Sequence, residues 1–355
     1  VFQRPLIAID IGSTAIKVVE LGGRAEKKLN AAALEQLPPE AFVDGQIKDT
    51  AAITELLKEI LKGLKINPLL RRAAIGIGGN SLIVKKIKIP NGPEADMAQQ
   101  VSYEAEQQFQ GDLSNLYWDH FRVDQEPDAA GNIGIIIVAA HRDIVEQRLS
   151  IIHGAGLRGG VVECDVFAAT NMFEYNYGVS ADLVGLLNIG ASATSVALVS
   201  GGQYLFNREL SLGGEEYTRR LMDVLKLDHA NAESLKLSVS QGEGRCPPEA
   251  QRAINDLNEQ LASEIQQSIT FYFQSGDAPA GVSKPAYLFV HGGGSRTLGL
   301  DAALAGTLQT PVHIVNPFQR VHVNPSKMSL DYAVTHGRLF GVAVGLGLRQ
   351  IHDNR

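Results

Sequence analysis

Near the start of the chain, Asp10, Gly12, Ser13, Thr14 and Lys17 fall close together in IAIDIGSTAIKVVEL, residues 7–21. A glycine-rich turn points successive backbone N–H groups into a concavity, and a phosphate fits that concavity. Gly12 lets the backbone approach closely, Ser13 and Thr14 add hydroxyl donors, and Lys17 can reach back with a positive charge. Asp10, at the end of a buried strand, is placed to hold the water shell of a Mg2+ ion. A hairpin turn uses the same residue types for its own geometry, so one copy alone does not establish a ligand.

The chain carries the phrase twice. LLNIGASATSVALV, residues 186–199, repeats its shape. With Gly12 laid on Gly190, Asp10 falls on Asn188, Thr14 on Ser192, Lys17 on Ser195 and Val18 on Val196. Gly190 and Thr194 then belong to a second phosphate turn, with Gly213 following. A third glycine turn, Gly292, Gly293 and Gly294 between His291 and Ser295, joins a predicted strand to a helix, where the chain can pass close beneath an adenosine. One phosphate turn per lobe, across a cleft, makes a nucleotide clamp.

Such turns need two similar lobes to carry them. The first 40 residues read as strands over 6–11, 14–21 and 28–36. Ile53, Leu56, Leu57, Ile60, Leu61 and Leu64 then recur at helical spacing, with Asp49 or Thr50 as cap and Pro68 just beyond. RAAIGIG, 72–78, is a buried strand, which makes an α/β unit with a partly antiparallel sheet. Alternation in LIVKKIKIP opens an inserted β-α-β-β-α subdomain, with a helix over 94–110, strands near 116–123 and 133–140, and a helix over 141–155. The expected division is a first-lobe core of 1–84 with 158–180 and 326–355, an insert of 85–157, a second-lobe core of 181–212 with 276–325, and a helical insert of 213–275. Residues 327–350 read as one apolar, glycine-rich helix.

Composition narrows the function. The 355 residues are 45% hydrophobic and 20% charged, as in an ordinary globular protein, and their length calls for more than one core. A formal net charge of −7 gives no basic field to recruit nucleic acid, and a single Trp gives little base-stacking surface. Cys164 and Cys246 form no metal-binding pair and suit a reduced, cytoplasmic setting. The longest apolar runs reach about ten residues where a membrane span needs roughly twenty. The chain begins at Val1 rather than Met, so a preceding segment is expected.

The order of first phosphate turn, linking helix, second phosphate turn, adenosine turn and C-terminal linking helix resembles the actin/hexokinase/Hsp70 superfamily of ATP-binding proteins. Within it Asp10, Ser13 and Lys17 match the first phosphate segment. AESLK, 232–236, matches the helix whose Glu and Lys approach ribose and adenine, which assigns Glu233 and Lys236 to that task. More specifically, DIGSTAIKVVEL, VSYEAEQQF (101–109), VAAHRDIVEQRLSIIHGAGL (138–157), LSLGGEEYT (210–218), VNPFQRVHVNP (315–325) and AVGLGLR (343–349) are similar to the PilM family of type IV pilus assembly proteins. The resemblance implies an actin-like duplicated α/β fold, ATP with Mg2+, and a cytoplasmic place beside the inner membrane within the pilus assembly complex. It further implies capture of the N-terminal cytoplasmic tail of PilN in a groove between the first lobe and its insert. A homo-oligomer is compatible with it.

Three departures from the family pattern bear on chemistry. Asn188 stands where the superfamily usually has a second Asp, and a neutral amide brings no charge to hold Mg2+ or water. The sequence EAEQQFQGD replaces the family's usual continuation after EAE, which alters the groove side chains. Glu163 and Asp165 carry the linking segment's carboxylates in swapped order; Asp165 is the candidate for polarising a water, and Glu163 either assists or caps the next helix. ATP binding is therefore expected, with hydrolysis weak or absent. Two other classes share the fold. A small-molecule kinase needs a base facing an acceptor hydroxyl, whereas the insert reads as a recognition module. A division filament resembling FtsA would end in a basic amphipathic helix, whereas this chain ends in LGLRQIHDNR.

Overall fold

Five consecutive buried residues, Ile7–Ile11 (β1), form the central strand of the first lobe. The computed structural model describes residues 6–350, apart from 39, 44, 80–81, 110–112, 124–125, 276–277 and 279–280. β1 turns into Ala15–Gly22 (β2) and then Lys28–Gln36 (β3) as an antiparallel meander. The Gly12 N–H donates to the Ala15 carbonyl at 3.1 Å and closes the first turn. A short hairpin, Phe42–Val43 (β4) and Gln46–Ile47 (β5), leads to Thr50–Gly63 (α1). Asp49 caps that helix by accepting from the Ala52 N–H at 2.8 Å, and Ile53, Leu57, Ile60 and Leu61 bury its apolar stripe. Arg72–Ile77 (β6) returns parallel to β1.

The insert follows as Leu82–Pro90 (β7), Glu94–Gln108 (α2), Leu116–Arg122 (β8), Asn132–His141 (β9) and Arg142–Gly154 (α3). Its sheet runs β7-β9-β8, with one face packed under α2 through Val101 and Ala105. Arg158–Cys164 (β10) then rejoins the first sheet beside β6, and Asp165–Tyr177 (α4) crosses to the second lobe.

The second lobe repeats the pattern. Val184–Ile189 (β11), Thr194–Ser200 (β12) and Gln203–Leu210 (β13) form the meander. Gly214–Leu225 (α5), His229–Ser240 (α6) and Pro248–Gln274 (α7) form the helical insert. Tyr287–His291 (β14), Leu300–Leu308 (α8) and Val312–Ile314 (β15) complete the lobe, with β14 parallel to β11. The sheet order β13-β12-β11-β14-β15 reproduces β3-β2-β1-β6-β10 strand for strand.

Two expectations need correction. His322–Val323 (β16) pairs with β3 in the first sheet, so the chain has returned to the first lobe before residue 325. The closing segment is two helices, Leu330–His336 (α9) and Gly341–Leu348 (α10), separated by a tight turn at Gly337–Phe340. At its first residue α10 passes close to the end of β14: a Cβ on Gly341 would lie 2.5 Å from His291 Nδ1. Residues 351–355, the end of the expected closing segment, lie outside the described residues. α4 and α10 cross beneath the two lobes, and one continuous core joins them to both sheets through Ala8, Val19, Leu186 and Ala197.

Candidate functional site

The register of the two sheets puts the chemistry into two facing rows. In the first lobe, Asp10 pairs with Lys17, and Lys17 with Leu34. In the second, Asn188 is flanked by His291 on β14 and Ser195 on β12, and Ser195 by Glu209 on β13. The duplicated backbone thus carries two different side-chain sets. Asp10 is buried and its carboxylate meets Lys17 Nζ at 3.3 Å. Lys17 folds back over the turn as expected, since a Cβ on Gly12 would lie 2.7 Å from Nζ. Ser13 is half-buried and Thr14 exposed at the turn.

Asp165, the first residue of α4, lies against β6, where Cβ atoms on Gly76 or Gly78 would come within 2.2 and 2.3 Å of its carboxylate oxygens. The residue as a whole is partly buried, but Oδ1 is enclosed and has no hydrogen-bond partner. Burial first, then the nearby Asp10 carboxylate, pushes its pKa up to about 8. Burial pushes Glu209 up to about 7. His291 is 1% exposed and its Nε2 lacks a partner; burial and the Lys17 charge push it down to about 4, so it is neutral at pH 7. Asp165, Asn188, Ser195, Glu209 and His291 line one cavity with Gly78 and Gly79.

The glycine turns converge beside this cavity. Gly292 has φ +89°, and a Cβ there would lie 2.4 Å from the Ile189 carbonyl oxygen. A Cβ on Gly294 would lie 2.9 Å from the Gly190 carbonyl oxygen, and one on Gly213 2.5 Å from that of Ala191. Around Gly293 the space is open. Gly190 N–H donates to the Ala193 carbonyl at 2.9 Å, the counterpart of the first turn's closure. Lys236 is buried and donates to the Gly214 carbonyl at 2.9 Å and to Thr218 Oγ1 at 2.7 Å, while Glu233 meets its ammonium at 2.6 Å. α6 therefore brings Glu233 and Lys236 to the start of α5, beside Gly190 and Gly294.

Two expected site residues have other tasks. Thr194 is 0% exposed and its hydroxyl donates to the Leu212 carbonyl at 2.7 Å, so it anchors the loop that carries Gly213 and does not face the cavity. Glu163 forms an ion pair with Arg349 at 3.0 Å and accepts from the Cys164 N–H at 3.2 Å. It ties β10 to the residue after α10, which leaves Asp165 as the linking segment's carboxyl at the cavity. Sequence reasoning passed over Glu209. The available signal was a carboxylate inside an apolar strand, LFNREL.

The donor set suits an anionic nucleotide carrying a divalent cation. Backbone turns and Lys17 could face an anion, and Asp10 and Asp165 repel one another until a cation or proton relieves them. Among the described residues no group of three or more His, Cys, Asp or Glu side chains is placed to hold a metal ion.

The architecture also has relatives. A solved structure described as the PilM-PilN type IV pilus biogenesis complex matches with a TM-score of 0.83 and 26% identity over 98% of this chain and 99% of that one. MreB 5 of Spiroplasma citri bound to AMPPNP matches with a TM-score of 0.53 and 12% identity, over 97% and 95% of the two chains. The cell division protein FtsA of Bacillus subtilis (strain 168) is 23% identical over 258 residues, which span 65% of this chain and 57% of FtsA. The duplicated two-lobe architecture is therefore the actin-like fold. The family described as type IV pilus assembly protein PilM matches residues 8–351, essentially the whole two-lobe body, and the chain belongs to that family.

Proposed function

We propose that this PilM-family chain is a cytoplasmic ATP-binding scaffold of the type IV pilus inner-membrane platform, and that it binds the N-terminal cytoplasmic tail of PilN. The observation that carries the nucleotide half is two glycine turns in matching register, together with a cavity lined by Asp165 and His291 whose enclosed oxygen and nitrogen lack partners. In this reading Gly12, Ser13, Thr14 and Lys17 hold phosphates from the first lobe, and Gly190 and Gly213 do so from the second. Gly292, Gly293 and Gly294 underlie the adenosine, and Glu233 and Lys236 sit by the ribose and base. Asp10 and Asp165 would hold Mg2+ through its waters; the ion would neutralise phosphate charge. The MreB 5 structure, which shares the fold, is bound to AMPPNP, and that supports nucleotide binding in general.

Turnover is slow or absent in this reading. Asn188 adds no charge opposite Asp10, and an Asp165 protonated at neutral pH cannot accept a proton from water until a cation lowers its pKa. Glu163, paired with Arg349, is a weak substitute. The partner half is supported by family membership and by a similar structure that is itself a complex with PilN. The tail is proposed to lie between the first lobe and the inserted sheet. Among the described residues no helix is long and apolar enough to cross a membrane, so attachment through a membrane-anchored partner suits the chain.

The test is calorimetric titration of the purified chain with a peptide of the PilN cytoplasmic tail, with and without Mg·ATP. Saturable binding that changes with nucleotide is expected. No binding in either condition, with the protein folded, would overturn the partner assignment.

A further inference from the structure

The stretch KGLKINPLLRR, residues 62–72, holds four cations and no acid in a chain whose formal net charge is −7. It runs from the end of α1 through a single 3-10 turn, Pro68–Leu70, into β6. β10 adds another cation: Arg158 is the register partner of Arg72, and its N–H donates to the Arg71 carbonyl at 3.3 Å. The loop after α3 passes the same turn, where a Cβ on Gly156 would lie 3.4 Å from Pro68 Cγ. These contacts make one corner of the first lobe. β6 and β10 both start here and run toward Gly78 and Asp165 at the cavity, six or so residues away, so the corner lies about 20 Å from it.

Three features of this corner work against the fold. Arg72 and Arg158 stand side by side on neighbouring strands, both exposed, and like charges so placed repel. Lys65 holds φ +58° just after the C-cap of α1, where glycine is the residue of least strain. Leu69 and Leu70 are 70% and 50% exposed on the turn between the two pairs of cations. Arg71 pairs with Glu20 at 3.0 Å, but among the described residues Lys62, Lys65, Arg72 and Arg158 form no ion pair. Lys62 in the last turn of α1 suits the helix dipole, which leaves the other three without a structural task. Exposed leucines flanked by unpaired cations match an anionic lipid surface, where apolar side chains enter the headgroup boundary and cations meet phosphates.

We propose that this corner docks directly on an anionic membrane surface, with Leu69 and Leu70 entering the headgroup boundary and Lys65, Arg72 and Arg158 meeting lipid phosphates. The inference is independent of the nucleotide reading and adds a lipid contact to the proposed attachment through PilN. A few cations and two leucines bind a bilayer weakly by themselves. Such a contact suits a chain that a partner's tail already confines near the membrane, because confinement raises the effective concentration of the surface. The distance from the corner to the cavity leaves the cavity open while the corner is docked.

The experiment is co-sedimentation of the full chain, without peptide or nucleotide, with vesicles of phosphatidylcholine alone or mixed in equal parts with phosphatidylglycerol. The wild-type chain should partition onto the mixed vesicles only. It should be released as NaCl rises from about 0.1 to about 1 M, which shortens the screening length from about 10 to about 3 Å. Arg158→Glu sets an opposite charge beside Arg72, so the fold is kept while partition falls about tenfold or more. Lys65→Gly should lower partition about fivefold, the scale of one basic residue at an anionic surface, and raise the thermal midpoint by about 2 °C. Leu69→Trp in a Trp118→Phe chain, whose one indole then reports depth, should shift its emission to the blue with mixed vesicles only. No partition of the wild-type chain overturns the proposal and leaves the corner to an acidic protein partner; the PilN titration is untouched by that result. Equal partition onto both vesicles overturns it, as does wild-type partition by Arg158→Glu. Displacement from the vesicles by inorganic phosphate equal to the lipid phosphate also overturns it, reducing the corner to a phosphate site.

Discussion

Three titratable groups line the cavity, and their pKa values move in directions that a stability profile can separate. Asp165 and Glu209 are raised to about 8 and about 7 from ordinary values of 3.8 and 4.5. A carboxyl raised in the folded state stabilises the fold fully below its unfolded pKa, and that contribution is lost as pH climbs to the folded value. His291 is lowered from 6.5 to about 4, so its contribution is complete above 6.5 and is lost as pH falls toward 4. The acids and the histidine oppose one another below pH 6.5. Above it only the acids act. The ligand-free chain should therefore lose stability from pH 6.5 to 8, by about 1.4 kcal/mol per pH unit for each carboxyl still protonated in the fold. Asp165→Asn, which keeps the shape of the neutral acid, should flatten most of that slope in thermal unfolding series. A wild-type slope in the variant would show that the buried proton resides elsewhere. At the third glycine turn, neighbouring glycines should separate stability from binding. Gly292→Ala meets a positive φ and the Ile189 carbonyl, and should cost at least about 2 kcal/mol in urea unfolding. Gly293→Ala enters open space and should stay within about 0.5 kcal/mol while weakening ATP binding several-fold.

At the level of elements, the linking helices α4 and α10 cross so closely that a Cβ on Gly345 would lie 1.8 Å from the Ala168 carbonyl oxygen. Gly345→Ala must push the helices apart under both lobes, and an overpacked core site of this kind costs about 1–3 kcal/mol. Urea unfolding should give a lower midpoint with an unchanged slope, and a wild-type midpoint would mean that the crossing yields without strain. That contact was not readable beforehand. AVGLGLR reads as an apolar helix with glycines, but nothing local says which glycine meets which helix. The repeated phrase was readable, because a strand, a glycine turn and a second strand are set by neighbours in sequence, and both copies formed with the same pairing. The β-α-β-β-α insert and the Asp49 cap were legible for the same reason. β16 was not: two residues paired to a strand some 290 positions away leave no periodicity to see. The site followed the same division. Asp10, Lys17 and the glycines announced themselves by local pattern. Glu209 and the structural task of Thr194 depend on what the fold packs around them.

Across the whole molecule, the insert, the linking helix and the second lobe meet in one aromatic stack. Phe167 of α4 stands edge-on to Phe121 of β8 at 5.4 Å and to Tyr204 of β13 at 5.2 Å. Beside it, Gln203 of the second lobe donates to the Val123 carbonyl at 3.4 Å. Asp165 begins the same helix two residues before Phe167, so a change at the cavity end of α4 is carried by a rigid element into a contact shared by the insert and the second lobe. If ATP and the peptide are coupled, this stack lies on the physical path between them. Phe167→Leu keeps apolar volume and forfeits the edge-to-face contacts, worth about 0.5–1.5 kcal/mol each, so the chain should fold and bind each ligand alone within about twofold of wild type. What should fall toward one is the ratio of peptide affinities with and without Mg·ATP. Linkage requires the same ratio for ATP affinity with and without peptide, so the two titrations check one another. A variant with a full wild-type ratio would show that the lobes communicate through the α4–α10 crossing alone.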